Sequence, residues 1–268
     1  MEKFKSIFKV KNPIIGMIHV QALPGTPKHK YTIKQVIEMA LEEARVYKKA
    51  GIDAILIENM HDIPYIKNGV GHEISSIMSL VAYLIKQETN LPIGMQILAG
   101  ANKEALAAAQ TASIDFIRAE GFVFGHVADE GYIDAQAGEL LRYQKQISAT
   151  SIAIFTDIKK KHSSHAITQD VSLLDTAKAA AFFLTDGLIV TGSHTGHSAS
   201  INDLNHLKDN IDSPIIIGSG ITIENISNYL PLCDAMIVGS HFKKQGHWDN
   251  DLSYDRVAEF MSLVNQLR

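Results

Sequence analysis

The sequence is short of the residues that cross-link a chain. One cysteine, Cys233, stands among 268 residues, so an intrachain disulfide is excluded and a reducing compartment is expected. Its setting, Pro231-Leu232-Cys233-Asp234 ahead of an apolar run, reads as a small packed hydrophobe. No stretch approaches the roughly 18 apolar residues of a membrane span. The first residues, Met1-Glu2-Lys3-Phe4-Lys5, lack the apolar region of a secretory signal, so the expected location is cytoplasmic. Basic charge is not in excess either: 25 Lys and Arg face 29 Asp and Glu, a formal charge of −4. The densest basic run, Lys159-Lys160-Lys161, is too short for a nucleic-acid footprint and reads as solvated or ligand-facing. No linker or low-complexity tract divides the chain, so residues 1–268 are expected to form one domain with residues 1–12 as an N-terminal extension.

What is present is a regular beat of short apolar runs, at 14–19, 53–59, 92–98, 115–120, 152–157, 187–191, 214–218 and 234–239. Near-continuous Ile, Val, Leu, Ala and Met without alternation marks parallel strands covered on both faces. Helical segments follow at 33–50, 74–88, 103–111, 136–147, 173–182, 201–208, 223–229 and 256–267. Thr32 and Thr222 stand as N-caps, and Gly51 as a C-terminal stop. Eight strands alternating with eight helices over this length predict an α/β fold, a single (β/α)8 TIM barrel, with an open doubly wound sheet as the structural alternative. Asp53, Asp115, Asp186 and Asp234 each open a strand, which predicts a role in turns at the bottom of the barrel. The long connections, 20–31, 60–73, 121–134 and 158–170, all follow strand C-termini, the face where barrel sites lie.

Strand ends on that face carry His19, Glu58-Asn59, Gln96, Arg118, Glu120 and Asp157. Every second side chain of a barrel strand points inward, so Arg118 and Glu120 share a face. Arg118 could pair with Glu58 or Asp157, or offer its fork to a substrate carboxylate or phosphate. Strands 7 and 8 end in Gly218-Ser219-Gly220 and Gly239-Ser240, and strand 6 repeats the theme with Gly192-Ser193. Glycine lets backbone N–H groups approach an anion, which predicts phosphate binding there; Lys243 would lend charge or lie in solvent. Twelve histidines raise a metal question, with His162-x-x-His165 and His194-x-x-His197 in spacings that metals use. A set of His19, Glu58, Asp157 and His162 would suit a divalent ion, but no cofactor is assigned, and solvated or acid/base histidines fit the Ser/Gly-rich surroundings better.

The stretch from Ile15 to Pro27, IGMIHVQALPGTP, resembles the opening signature of the BtpA family. Gly51 to Asn59 with Asp62-Ile63-Pro64-Tyr65, then Phe116-Ile117-Arg118, and Asp157 to His162 are similar to its further motifs. Glu120-Gly121 departs from the Asn-Val of many members. The resemblance implies a barrel of the ribulose-phosphate-binding type and positions of interest at His19, Pro24, Gly25, Glu58, Asn59, Asp62, Arg118, Asp157, Lys161 and His162. The family takes its name from a protein linked to photosystem I biogenesis in cyanobacteria, and no generally assigned reaction comes with it.

Together these readings predict an enzyme, an isomerase, lyase or hydrolase, acting on a small phosphorylated metabolite such as a sugar phosphate or a nucleotide-like compound. His19, Glu58, Asn59, Arg118, Asp157, Lys161 and His162 are the catalytic candidates. Gly192, Ser193, Gly218, Ser219, Gly220, Gly239 and Ser240 are the phosphate-binding candidates. Lys161 offers a Schiff-base option if burial lowers its pKa, with Lys159 and Lys160 adding to the effect. A non-catalytic assembly factor for a membrane complex, peripherally bound, and a ligand-sensing barrel are the alternatives. For the former, residues 1–10 are the one short membrane-facing candidate, although packing across the barrel bottom suits them better. A homo-oligomer is expected, with no interface marked in the sequence.

Overall fold

A computed structural model describes residues 2–192 and 198–268. Eight parallel strands close into a barrel: β1 Ile14–His19, β2 Ala54–Glu58, β3 Ile93–Gln96, β4 Phe116–Ala119, β5 Ala153–Ile158, β6 Gly187–Val190, β7 Ile215–Ile217 and β8 Ala235–Val238. Each neighbours the next, and β8 returns to β1. The predicted architecture is therefore the observed one, and helices cover the outside.

The two-residue period of the strands sorts every side chain. One parity (Ile14, Ile18, Ile55, Ile57, Met95, Ile117, Ile154) packs outward under the helices. The other fills the barrel with Ile15, Met17, Leu56, Phe116, Phe155, Ile189, Ile216 and Ile237. The inward parity, carried one step further, delivers His19, Glu58, Gln96, Arg118, Asp157, Gly218 and Gly239 to the upper interior.

The barrel floor is closed by the N-terminal helix Glu2–Ile7 and Phe8. Phe4 and Phe8 are buried, with Phe8 5.8 Å from Phe116 and 6.2 Å from Phe155 between ring centroids. This segment is thus a plug for the barrel, not a free membrane anchor. Among the described residues, no helix is long and apolar enough to cross a membrane.

The four strand-opening aspartates act as the sequence predicts, in a repeating pattern. Asp53, Asp115, Asp186 and Asp234 each precede an even-numbered strand and accept the N–H of Ile14, Ile93, Ile154 and Ile215, in the strand before, at 2.8–2.9 Å. Arg268, Lys86 and Lys3 neutralise the first three. Strand-edge donors that the ladder leaves over are thereby satisfied.

Two connections differ from expectation. The loops after β4 and β5 contain a three-stranded antiparallel sheet, His126–Ala128 with Gly131–Ile133 and Ser163–Ser164, standing over the barrel mouth. After β7, the helix starts at Ile226 rather than beside Thr222. The Asn225 carboxamide oxygen accepts the Thr222 N–H at 2.9 Å and stabilises a turn where the helix was predicted. The last helix starts slightly earlier than predicted, at Tyr254.

Candidate active site

Where the inward parity emerges at the C-terminal ends of the strands, the barrel opens into a cavity of about 620 Å³. That size is typical of small-molecule sites. His19, Glu58, Gln96, Arg118, Glu120, Lys161 and His162 line it together with Gly218-Ser219-Gly220 and Gly239-Ser240. Met17, Met60, Leu98, Ile221 and Trp248 supply apolar wall.

His19 is buried, and its Nδ1 lies 3.2 Å from the Trp248 carbonyl oxygen. A carbonyl only accepts, so Nδ1 carries the proton and Nε2 presents a lone pair. Nε2 in turn faces Glu58 Oε2 at 3.9 Å. Burial, and then the charge of Lys243, push His19 down to about 3, so the ring is neutral at ordinary pH. Burial also raises the Glu58 carboxyl above the usual carboxylate range, against the pull of Arg118 and Lys161. A lone pair at His19 Nε2 and a carboxyl with raised proton affinity thus face each other, the parts of a proton relay.

Arg118 takes the internal partner that the sequence offered it. Its Nε and Nη2 donate to the two Asp157 oxygens, each at 2.8 Å. The Asp157 side chain is 1% exposed and does not line the cavity. Asp157 is therefore a holder for Arg118, since both oxygens are committed, and it cannot reach a reacting group in this arrangement. Asn59 has the outward parity and is likewise spent on scaffold. It donates to Asp62 Oδ2 at 2.8 Å and accepts the Leu98 N–H at 2.7 Å, while Asp62 accepts the Leu23 N–H at 2.7 Å. The Leu-Pro-Gly stretch and the Glu-Asn segment are thus knotted together through loops 1, 2 and 3.

The three lysines of the basic run go three ways. Lys159 donates to the Thr168 carbonyl at 2.9 Å, and Lys160 pairs with Glu120 at 3.1 Å. Lys161 lines the cavity, its main-chain N–H held by the Thr191 hydroxyl at 3.0 Å. Burial, followed by the charge of Arg118, lowers its pKa. The expected contribution of Lys159 and Lys160 is replaced by that of Arg118, because the neighbouring side chains point elsewhere.

At the glycine loops, a Cβ on Gly218 would come within 2.7 Å of Ile189 and 3.0 Å of Thr191, so glycine is required by close approach. Gly239 is roomier: a Cβ there would lie 3.4 Å from Met17 and 3.6 Å from His19 Cε1, bringing the eighth loop directly beside the imidazole. Gly192 is used differently from expectation: its N–H donates to Ser219 Oγ at 3.2 Å, tying loop 6 to loop 7, and it does not line the cavity. Ser193, His194 and His197 lie outside the described residues.

The Lys243 side chain is neither solvated nor part of the cavity lining. It is 2% exposed and pairs with Glu43 beneath the helix Ile33–Ala50. The cation at the glycine loops is Arg256, which lines the cavity and donates through Nε to the His241 carbonyl. Nothing in the residue pattern marks it, since Arg256 reads there as the first residue of a helix. Trp248 and Gln96 are further lining residues; Gln96 follows from strand parity, whereas Trp248 depends on how the eighth loop folds back over His19. Among the described residues, no three His, Cys, Asp or Glu side chains gather in a metal-binding group. The set of His19, Glu58, Asp157 and His162 is not assembled, because Asp157 is turned to Arg118.

The BtpA family model matches residues 10–266. A mitochondrial protein of Caenorhabditis elegans without an assigned function is 49% identical over 260 residues, 95% of this chain and 94% of its own. The photosystem I biogenesis protein BtpA of Synechocystis is 31% identical over 268 residues, 98% of this chain and 91% of its own. Among solved structures, the (S)-3-O-geranylgeranylglyceryl phosphate synthase of Thermoplasma acidophilum, in complex with its substrate sn-glycerol-1-phosphate, superposes with a TM-score of 0.62. It covers 99% of this chain and 97% of that one at 16% identity, a likeness of fold alone. With a family model spanning the barrel from end to end and full-length relatives above 30% identity, the chain belongs to the BtpA family.

Proposed function

We propose that the protein is an enzyme acting on a small phosphorylated metabolite, with the phosphate at loops 7 and 8 and the reacting carbon beside His19 and Glu58. The observation that carries this reading is one cavity lined both by Gly218–Gly220, Gly239, Ser240 and Arg256 and by His19, Glu58, Arg118 and Lys161, with His19 and Arg118 reaching to within 4 Å of where a Cβ would stand on Gly239 and Gly218. The Gly218 N–H is taken by the Val190 carbonyl at 2.8 Å, so the donors of a phosphate cradle are the backbone beyond it, at Ser219–Gly220 and Gly239-Ser240, with a serine hydroxyl and the Arg256 guanidinium. The sn-glycerol-1-phosphate bound by the Thermoplasma synthase, a barrel of the same type, supports the class of ligand.

The chemistry follows from the protonation states. His19 Nε2 accepts a proton, and Glu58, protonated more readily than a surface carboxyl, returns one, which is the exchange that an isomerase, lyase or hydrolase requires. Arg118, fixed by Asp157, stabilises negative charge developing on a substrate oxygen. Lys161, buried and with a lowered pKa, offers a Schiff base to a carbonyl substrate as the lyase variant of the same site. An assembly factor, the role named for the Synechocystis relative, is the weaker reading here, because Phe4 and Phe8 of the candidate membrane segment are buried in the barrel floor.

Thermal-shift screening of sugar phosphates and nucleotides provides the test. Members of one class should raise the melting temperature, Gly239→Ala should keep the response, and Gly239→Glu should abolish it by adding negative charge to the cradle. Failure of every phosphorylated compound to shift the wild-type protein sinks the proposal.

A further inference from the structure

The side of the cavity away from the glycine loops has its own chemistry. Glu120 and Gln96, at the upper ends of β4 and β3, both line it and are 6% and 2% exposed. Lys160 takes Glu120 Oε1, but among the described residues neither Glu120 Oε2 nor Gln96 Oε1 has a hydrogen-bond partner. Two buried acceptors left unsatisfied in one cavity are costly, each by an amount comparable to a lost hydrogen bond. A bound ligand that donates to them would remove that cost. Arg118, Lys160 and Lys161 also line the cavity and are near enough to Glu120 to feel its charge, so a group that meets these acceptors has donors within reach as well. A hydroxyl is neutral, donates to a carboxylate or carboxamide oxygen, and at the same time accepts from a guanidinium or ammonium N–H. The hairpin tip over the mouth adds Asp129 and Glu130 to the lining, two further acceptors facing the same space.

We infer that Gln96 and Glu120 form a hydroxyl-reading subsite, so that the ligand is a polyhydroxylated phosphate, a sugar or sugar-alcohol phosphate whose hydroxyls lie at the β3–β4 side. This rests on the phosphate reading above and narrows its ligand to one class. Apolar-chain phosphates are the ligands it rejects. Gln96 and Glu120 are specificity-determining residues in this assignment, distinct from the proton-transfer pair.

Isothermal titration of the full chain with inorganic phosphate, pentyl phosphate and ribitol 5-phosphate separates the two claims, since the last two differ only in the hydroxyls on a five-carbon chain. Ribitol 5-phosphate should bind at least about tenfold tighter than pentyl phosphate, the discrimination expected when polar groups in a site would otherwise stay unpaired. In Gln96→Met, which keeps the volume and removes the acceptor, that ratio should fall severalfold while inorganic phosphate binds as before. Glu120→Gln, which leaves a shorter list of acceptors, should lower the ratio in the same direction. Pentyl phosphate binding as tightly as ribitol 5-phosphate to the wild type overturns the hydroxyl subsite and leaves the phosphate cradle standing. A ratio unchanged in both variants overturns the assignment to these two residues. No binding of any of the three compounds overturns the phosphate reading and this inference with it. The wild-type comparison decides the first point without requiring any variant to fold.

Discussion

The two ends of this barrel are built from the same residue types and come out differently. At the bottom, four aspartates accept strand N–H groups, and three of them are also neutralised by Lys3, Lys86 and Arg268. Each of these four carboxylates has a hydrogen-bond donor within the chain. At the top, carboxyl groups at strand ends are left with an orphan oxygen at Glu120, or are raised in proton affinity by burial at Glu58. An acidic residue at a strand end is thus structural when its partners are complete and a site candidate when they are not. Arg118 and Asp157 are the mixed case, a bottom-style closed pair in the floor of the top-side cavity.

That mixed case gives the largest expected effect. Arg118→Met should destabilise the protein by about 3–5 kcal/mol in urea unfolding, because it leaves Asp157 buried without its counter-charge. A loss below about 1 kcal/mol would mean that the pair is not the closed unit described here. Asp186→Ala, at the bottom, should cost about 2 kcal/mol by orphaning the Ile154 N–H and releasing Lys3. Ligand binding by the remaining folded protein should be unchanged, and a weakened ligand affinity would dissolve the distinction between the two ends.

The smallest stability effect is expected at the top, where the sign depends on pH. The folded-state pKa of Glu58 is raised, so its ionisation opposes folding above the ordinary Glu value near 4.5, and its favourable contribution is lost as pH rises through the folded value. Glu58→Gln should therefore leave the protein equally stable or more stable at pH 7, while removing activity. His19 has the opposite pH dependence. With its pKa lowered to about 3 from 6.5, it stays neutral in the folded state while the unfolded chain takes up a proton, so stability falls as pH drops from about 6.5 toward 3. His19→Gln should flatten part of that acid limb in unfolding curves measured across the range. An unchanged limb in the variant would show that His19 does not carry it.

Much of this was legible in the residues. The apolar beat predicted all eight strands, and the aspartates that open four of them were assigned to turns and stability, where they stand. Strand parity was equally informative: Glu58 inward implies Asn59 outward, and Asn59 is indeed held by Asp62 and Leu98 outside the cavity. The loops were less readable. Lys243 follows the glycines of strand 8 and reads as a phosphate cation, yet the chain turns it under a helix to Glu43 while Arg256 takes the place beside the loop. No periodicity governs such choices, since a loop side chain is oriented by partners far away in sequence. The hairpin over the mouth went unseen for a related reason: its third strand, Ser163–Ser164, lies more than thirty residues from its partner Val127-Ala128 and carries no strand signal of its own.

By itself, then, the sequence determined the barrel, its closed order and the list of polar residues at its mouth. Short-range rules suffice for this: an apolar run with a two-residue period has one buried solution, and parallel strands joined by helices have one common way to close. Only the tertiary structure decided which of those polar residues are satisfied. Arg118 is clamped by Asp157, Asn59 is spent on Asp62, Lys160 is bound to Glu120, and His19 is held as one tautomer by Trp248. Whether a buried polar group has a partner is a matter of ångströms between residues tens to hundreds of positions apart, and that distance is set by the fold alone.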